Sequence, residues 1–413
     1  MRRLHFCTAE LADSPIKIKC SPPCELLSET TPKKPKLLLS KRDSEAEWTR
    51  WPRSLGAVAG PNDVPLLKQK TSTESFRRDC SEMSTAAKSE GVDDQDKLGV
   101  TSPFYKEVDG IYISSFFKED NLRSAFAYKP RPDDVFVASY PKCGTTWMQC
   151  IVHCILNDAV LPDNSIDFML ASPFIDFTGA EGPDRMSRPG AIKTHLPFDK
   201  VPHSPQAKYI YVTRNPYDCC VSYYHHILST PLNRPEDRDF ERFLERFMRG
   251  RVNWGDYFYH LLSWYDHRHD PNVLFVTFEE LKRDTSSGIL KVADFLGKHY
   301  GCKLRQDEAL LRRILEVVEV REMRKIFNDD MLGMMSRFWS LPPEKALRSL
   351  EVCKAPLDAV QDERKKEEFI RKGVVGDYKL HFTTDQASRM NDWITTKTKN
   401  SDVMLLWKDI DLP

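Results

Sequence analysis

The sequence lacks any run of eighteen apolar residues, which excludes an ordinary membrane-spanning helix, and Met1 to Lys19 lacks the uninterrupted apolar core of a secretory leader. It lacks an excess of either charge as well. Sixty-one basic residues face 61 acidic ones, so no global field draws the chain to nucleic acid or to an anionic membrane. The eleven cysteines have no regular spacing: Cys219 and Cys220 are adjacent, and Cys150 and Cys154 lie one helical turn apart. That usage is not a disulfide framework and points to a reduced, cytoplasmic setting. Also missing is the Gly-x-x-x-x-Gly-Lys-Ser/Thr loop, which argues against an ordinary ATPase.

What is present divides into two parts. Residues 1–100 are rich in Ser, Thr, Pro, Lys and Glu and show no sustained periodicity, so a disordered N-terminal extension is expected there. Residues 101–413 read as one folded domain, and 40% hydrophobic content is ample for a large core. Within it, strands at 134–139, 191–194, 208–213 and 273–277 alternate with helices at 145–156, 216–228, 255–268 and 285–297. Strands separated by helices imply an α/β fold with a central parallel sheet flanked by helices on both faces. In such sheets a ligand sits beyond the carboxyl ends of the strands.

The unusual residues fall at those ends. Tyr140-Pro-Lys-Cys-Gly-Thr-Thr-Trp147 joins the first strand to its helix. There the loop and first-turn N–H groups converge where the helix dipole favours an anion, and Lys142, Thr145 and Thr146 add a cation and two hydroxyls, so phosphate or sulfate is the natural occupant. A tight turn built on Gly144 and capped by Thr145 is the plainer alternative. At the end of strand 191–194, Lys193 and His195 share a side, because strand side chains repeat every two residues. A neutral histidine there can take a proton from an attacking hydroxyl, while an ammonium beside it stabilises developing negative charge. Arg214 ends the next strand, Pro216 suits the first turn of the following helix, and Ser222 lies about two turns into it. Arg214 with that hydroxyl makes a second anion site, and Arg371-Lys372-Gly373 a third.

Four separated motifs together resemble the cytosolic sulfotransferases. They are Tyr140 to Trp147, Lys193-Thr-His-Leu-Pro197, Arg214-Asn-Pro216 with Ser222-Tyr-Tyr-His225, and Arg371-Lys-Gly-x-x-Gly-Asp-Tyr-Lys379, in order and at about the family spacing. The resemblance covers residues 101–413. It implies a P-loop-like fold related to nucleotide kinases, and transfer of a sulfuryl group from 3′-phosphoadenosine 5′-phosphosulfate (PAPS) to the hydroxyl or amine of a small acceptor. Lys142, Cys143, Gly144, Thr145, Thr146 and Trp147 would hold the 5′ end, with the Trp147 ring against adenine, and Arg214, Ser222, Arg371, Lys372 and Gly373 the 3′-phosphate. His195 would be the base, with Lys193 and Lys142 stabilising the transferring group. No metal is required on this reading.

Some positions depart from the family pattern. Cys143 stands where serine is usual, Phe278 takes the place of a tyrosine at the adenine, and Val318, Glu319 and Val320 replace a Thr/Ser-rich segment beside it. After Lys379 the family's dimer segment is degraded, with Thr384 and Ser388 in place of valine and glutamate, so a homodimer is left open. Phe174 and Phe177 match the segment that lines the acceptor pocket, and His226 falls where an aromatic residue is usual. A catalytically weak relative that binds PAPS or its product is the alternative these departures raise. A nucleotide kinase is a third reading, disfavoured by the missing Gly-Lys-Ser/Thr.

Overall fold

A short hairpin opens the described structure: β1 (Tyr105–Val108) pairs antiparallel with β2 (Ile111–Ser114). The turn is Asp109-Gly110, both at positive φ (48° and 86°), the backbone geometry whose twist matches that of the flanking strands. The computed structural model describes residues 104–229, 238–328, 331–351 and 368–413. The extension expected over residues 1–100 lies outside them.

The central sheet has four parallel strands, β3 (Val135–Ala138), β4 (Ala191–Thr194), β5 (Lys208–Thr213) and β6 (Val273–Thr277), in the order β4-β3-β5-β6. Three of the four expected strands have the observed bounds. The first is shorter by a residue at each end; at the amino end the Asp134 carboxylate closes the preceding turn by accepting from Arg131 N–H (2.7 Å) and the Tyr128 hydroxyl (2.8 Å). In register, Ala138 stands beside Thr194 and Tyr211, and Thr213 beside Thr277, so all four chains leave the sheet at one edge.

Strand alternation sorts the side chains onto two covered faces. Phe136, Ala138, Ile192, Tyr209 and Tyr211 enter one core, together with Tyr217, Cys220 and Val221 of helix Pro216–Leu228 and Leu261 and Trp264 of helix Tyr257–Tyr265. Val135, Val137, Ala191, Ile210 and Val212 enter the other, with Met148, Ile151 and Val152 of helix Thr145–Leu156 and Ile289 and Val292 of helix Thr285–Leu296. Each fully buried residue of this kind contributes about 1.5–3 kcal/mol of transfer free energy, so the strands are held from both sides. The helix expected over 255–268 is the shorter Tyr257–Tyr265. Gly255 (φ 73°) cannot continue into it, and Asp256 caps it by accepting from Tyr259 N–H at 2.8 Å.

Candidate active site

The loop after β3 is shaped by two left-handed residues, Lys142 (φ 68°) and Gly144 (φ 103°). A Cβ on Gly144 would lie 2.9 Å from Phe278 Cδ2, so this glycine is required by close packing as well as by φ. Gly144 is also the N-cap of helix Thr145–Leu156 and supplies no side-chain cap, which leaves the N–H donors of the first turn for another acceptor. The Thr145 hydroxyl engages Ser139 Oγ, holding the loop onto the end of β3.

This loop borders a cavity of about 870 Å³ at the carboxyl edge of the sheet. Lys142, Gly144, Thr145, Thr146, Trp147, Lys193, His195, Arg214, Ser222, Phe278 and Arg371-Lys372-Gly373 all line it, as do Phe174, Phe177 and His226. Cys143 does not. Its side chain is fully buried, with Sγ 3.6 Å from Cys219 Sγ, so the thiol faces the core and cannot stand in for a hydroxyl aimed at a ligand.

Positive charge gathers in the cavity. Lys142 Nζ lies 4.4 Å from the Phe369 ring centroid, and Lys193 Nζ 4.3 Å from that of Phe174; among the described residues neither forms an ion pair. Burial, then Lys193, Arg214 and Arg371, push Lys142 down to about 7. Burial lowers Lys193 to about 8, opposed by Asp176. Clustered buried cations with depressed pKa values favour an anionic ligand, whose charge would offset their mutual repulsion.

Arg214 is 5% exposed; its Nη2 donates to Val374 O at 2.7 Å, and its guanidinium stacks 4.5 Å over Phe278. Arg371 pairs with Asp377 at 2.6 Å, and Lys372 with the other oxygen of the same carboxylate at 2.7 Å. Both arginines keep a buried Nε–H with no partner among the described residues. Two unsatisfied charged donors bordering one cavity call for an anionic acceptor. The Arg371–Gly373 segment is held there by Asp218 of helix Pro216–Leu228, which accepts from Gly376 N–H (2.8 Å) and Tyr378 N–H (3.1 Å). Gly373 (φ 63°) would put a Cβ 2.6 Å from Val320 Cγ2.

His195 is nearly buried, and its Nδ1 lies 2.7 Å from the Ser139 carbonyl oxygen. An acceptor there requires the proton on Nδ1, which leaves Nε2 with a free lone pair. Burial, then Lys193, hold the imidazole well below its usual range, so it is neutral near pH 7. The ring stands 5.1 Å from Phe174 and 4.8 Å from Trp254. Asp176 and Trp254 were missed from the sequence. Asp176 accepts from the His195 backbone and the Trp254 indole, and a carboxylate inside the apolar run Phe174-Ile-Asp-Phe177 is the signal that marks it.

The two ends of the cavity differ. At one, the Trp147 and Phe278 rings meet at 5.4 Å, with Lys282 Nζ 5.3 Å from Trp147; Val318, Glu319 and Val320 line the same cavity. At the other, Phe177 stacks on Phe116 at 5.3 Å and Phe174 faces His195. His226 is pushed well below its usual value by burial, then by Lys142 and Lys193.

Residues 132–402 match the sulfotransferase domain family. Human sulfotransferase 1C2 is 31% identical over 313 residues, covering 72% of this chain and 94% of its own length. Human sulfotransferase 1E1 is 31% identical over 291 residues, with 68% and 88% covered. Among solved structures, mouse sulfotransferase SULT7A1 complexed with PAP is similar with a TM-score of 0.56 and 28% identity, over 74% of this chain and 99% of that one.

Proposed function

The chain belongs to the sulfotransferase family and is a PAPS-dependent sulfotransferase, and on that premise we propose that His195 is the base that takes the proton from the hydroxyl or amine of a small acceptor. Its Nε2 carries the free lone pair, and the low pKa keeps it unprotonated until the acceptor arrives. The ammonium groups of Lys193 and Lys142 offset the charge that spreads over the transferring sulfuryl group and the departing phosphate oxygen. Catalysis is then positioning and charge stabilisation in line with the leaving oxygen. The products are a sulfate ester, or a sulfamate from an amine, and adenosine 3′,5′-bisphosphate (PAP).

The donor fits the chain's own groups. Lys142, the N–H groups of the loop and first helical turn, Thr145 and Thr146 hold the 5′-phosphosulfate. Arg214, Ser222, Arg371, Lys372 and the Gly373 backbone hold the 3′-phosphate, where the orphaned Nε donors sit. Trp147 and Phe278 flank the base. A phenol or alcohol lies against Phe174, Phe177 and His226. Residues 101–413 form the catalytic domain, with residues 1–100 an extension outside it.

One observation carries this reading: a neutral histidine and two lysines that form no ion pair among the described residues border the same cavity as two arginines, each with an Nε donor unsatisfied among those residues. Radiolabelled PAPS incubated with a panel of phenols and alcohols tests it, with His195→Ala alongside. Sulfate ester formed by the wild-type protein and lost in the variant is expected; PAP binding without transfer would replace this reading with that of a binding protein.

A further inference from the structure

Asp176 lies in the four-residue helix Ile175–Thr178 and is fully buried. Three donors converge on its carboxylate: the Thr194 hydroxyl on Oδ1 (2.7 Å), and the His195 backbone N–H (2.9 Å) and Trp254 Nε1–H (2.8 Å) on Oδ2. The two N–H groups can only donate. The Thr194 oxygen already accepts from Leu196 N–H at 3.1 Å, which turns its hydroxyl proton toward Asp176. The carboxylate is therefore satisfied in its ionised form. Burial raises its pKa to about 6, against the three hydrogen bonds and Lys193. Where stability alone mattered, an apolar side chain would avoid that desolvation cost.

What the carboxylate holds is the acceptor end of the cavity. His195 is fixed at its backbone on both sides, the N–H by Asp176 and the C=O by His260 Nε2 at 3.0 Å. Trp254 sits at φ 64°, a conformation costly for a non-glycine residue, in a loop anchored by its own N–H to Tyr112 O (2.8 Å) and by its indole to Asp176. That anchored ring packs 4.8 Å from His195 and 5.8 Å from Phe174.

We propose that Asp176 is a positioning residue for sulfuryl transfer: it fixes the His195 backbone and the Trp254 ring at the acceptor end, and its negative charge sustains the Lys193 ammonium. The proposal rests on the roles given above to His195 and Lys193. The titratable groups that share this charge environment are Lys193 itself, Lys142, His195, His226 and His260, the last acting on His195; Arg214 and Arg371 act on Lys142.

Asp176→Asn keeps the shape and removes the charge. Its amide oxygen can still accept from His195 and Trp254 while its NH₂ turns to the Thr194 oxygen. Asp176→Glu restores the charge at a longer reach. In the full-length protein the Asn variant is expected to melt near the wild-type temperature and to bind PAP normally at pH 6.5. Its kcat for radiolabelled sulfuryl transfer to the phenol panel should fall roughly 10- to 100-fold, with the KM for PAPS little changed at that pH. Its alkaline limb should move to lower pH, and in a Lys193→Arg background it should move no further, because arginine does not titrate there. Asp176→Glu should recover part of kcat. Trp254→Phe, which removes one donor and keeps a ring, should lose kcat partially without weakening PAP.

A folded Asp176→Asn protein with wild-type kcat and pH profile overturns the proposal. If the Asp176 variants do not fold, an unchanged kcat in Trp254→Phe overturns it instead. Should the wild-type protein bind PAP but transfer nothing to the panel, the catalytic reading has failed separately. Asp176 is then judged by calorimetry of PAP binding in the Asn variant, where an unshifted alkaline limb rejects its electrostatic role.

Discussion

His195 Nδ1 and the Ser139 carbonyl oxygen, at the carboxyl ends of two neighbouring strands, are joined by a 2.7 Å hydrogen bond. The backbone of β3 thus selects the tautomer of a side chain carried by β4, and the nitrogen left unprotonated is Nε2. His195→Ala should lower kcat by roughly 10²- to 10⁴-fold, the usual worth of a positioned base. PAP affinity, read by calorimetry, should hardly change. Because burial and Lys193 keep this imidazole well below its usual range, the acid limb of kcat/KM should fall below pH 6.5. An ordinary histidine limb there would contradict the assignment.

The two lysines set the opposite limb. Lys142 at about 7 and Lys193 at about 8 are charged at lower pH and lose their protons as the pH rises through that window. PAP affinity should therefore weaken between about pH 7 and 9, and binding near pH 8 should take up protons, since a bound anion raises both pKa values. Calorimetry in buffers of different ionisation heat measures the uptake; a flat affinity and no uptake across the window would sink this account. The ligand-free fold should respond in the other direction. The unfolded chain retains lysine protons that the folded one has shed, so this pair adds stability as the pH rises.

Arg371→Ala should weaken PAP by roughly 10- to 100-fold, corresponding to the loss of charge-assisted hydrogen bonds of about 1.5–3 kcal/mol. The same variant should bind adenosine 5′-monophosphate as the wild type does, because that ligand has no 3′-phosphate to lose. Equal losses for both nucleotides would move Arg371 away from the 3′-phosphate. Arg214→Ala should behave alike and also melt earlier, since its guanidinium holds the Val374 carbonyl.

Gly144→Ala should destabilise the protein by about 1–2 kcal/mol from the left-handed backbone, with a further loss where the new methyl meets Phe278. Adding Phe278→Leu relieves the contact but not the strain, so thermal melts should show partial recovery. Full recovery would mean that φ at Gly144 costs nothing.

Cys143→Ser introduces the hydroxyl that the family resemblance implies for this position, yet the side chain points at Cys219 and away from the cavity. The KM for PAPS should stay unchanged while the melting temperature drops, because a polar group then replaces a thiol in an apolar core. A markedly lower KM would show that position 143 reaches the donor after all.

Where chemistry and periodicity act locally, the sequence carried the structure well. The segments 191–194, 208–213 and 273–277 are the observed strands, and Lys193, His195 and Arg214, at or just beyond the ends of the first two, border one cavity. What escaped depends on contacts across the fold. Loop side chains such as Cys143 have no fixed period, so their direction could not be read. Asp176 and Trp254 are separated by many residues, and their hydrogen bond exists only once the helix Ile175–Thr178 and the loop after Gly250 are packed together. Glu279 escaped for the same reason: it is buried because it accepts from Asn215 N–H (2.8 Å) and the Trp407 indole (2.9 Å), which lie far from it in the chain.

The strand order β4-β3-β5-β6 has a consequence for how the protein comes into being. Lys142 follows β3, Lys193 lies within β4, Arg214 follows β5, and Arg371 arrives only after the last strand. A growing polypeptide emerging from the ribosome can thus complete its sheet while still holding an open-ended cleft. The grip on a nucleotide with two charged ends is finished last, by a segment near the carboxyl terminus whose Tyr378, Met390, Ile394 and Trp407 also complete the core, so a prematurely stopped chain lacks both at once.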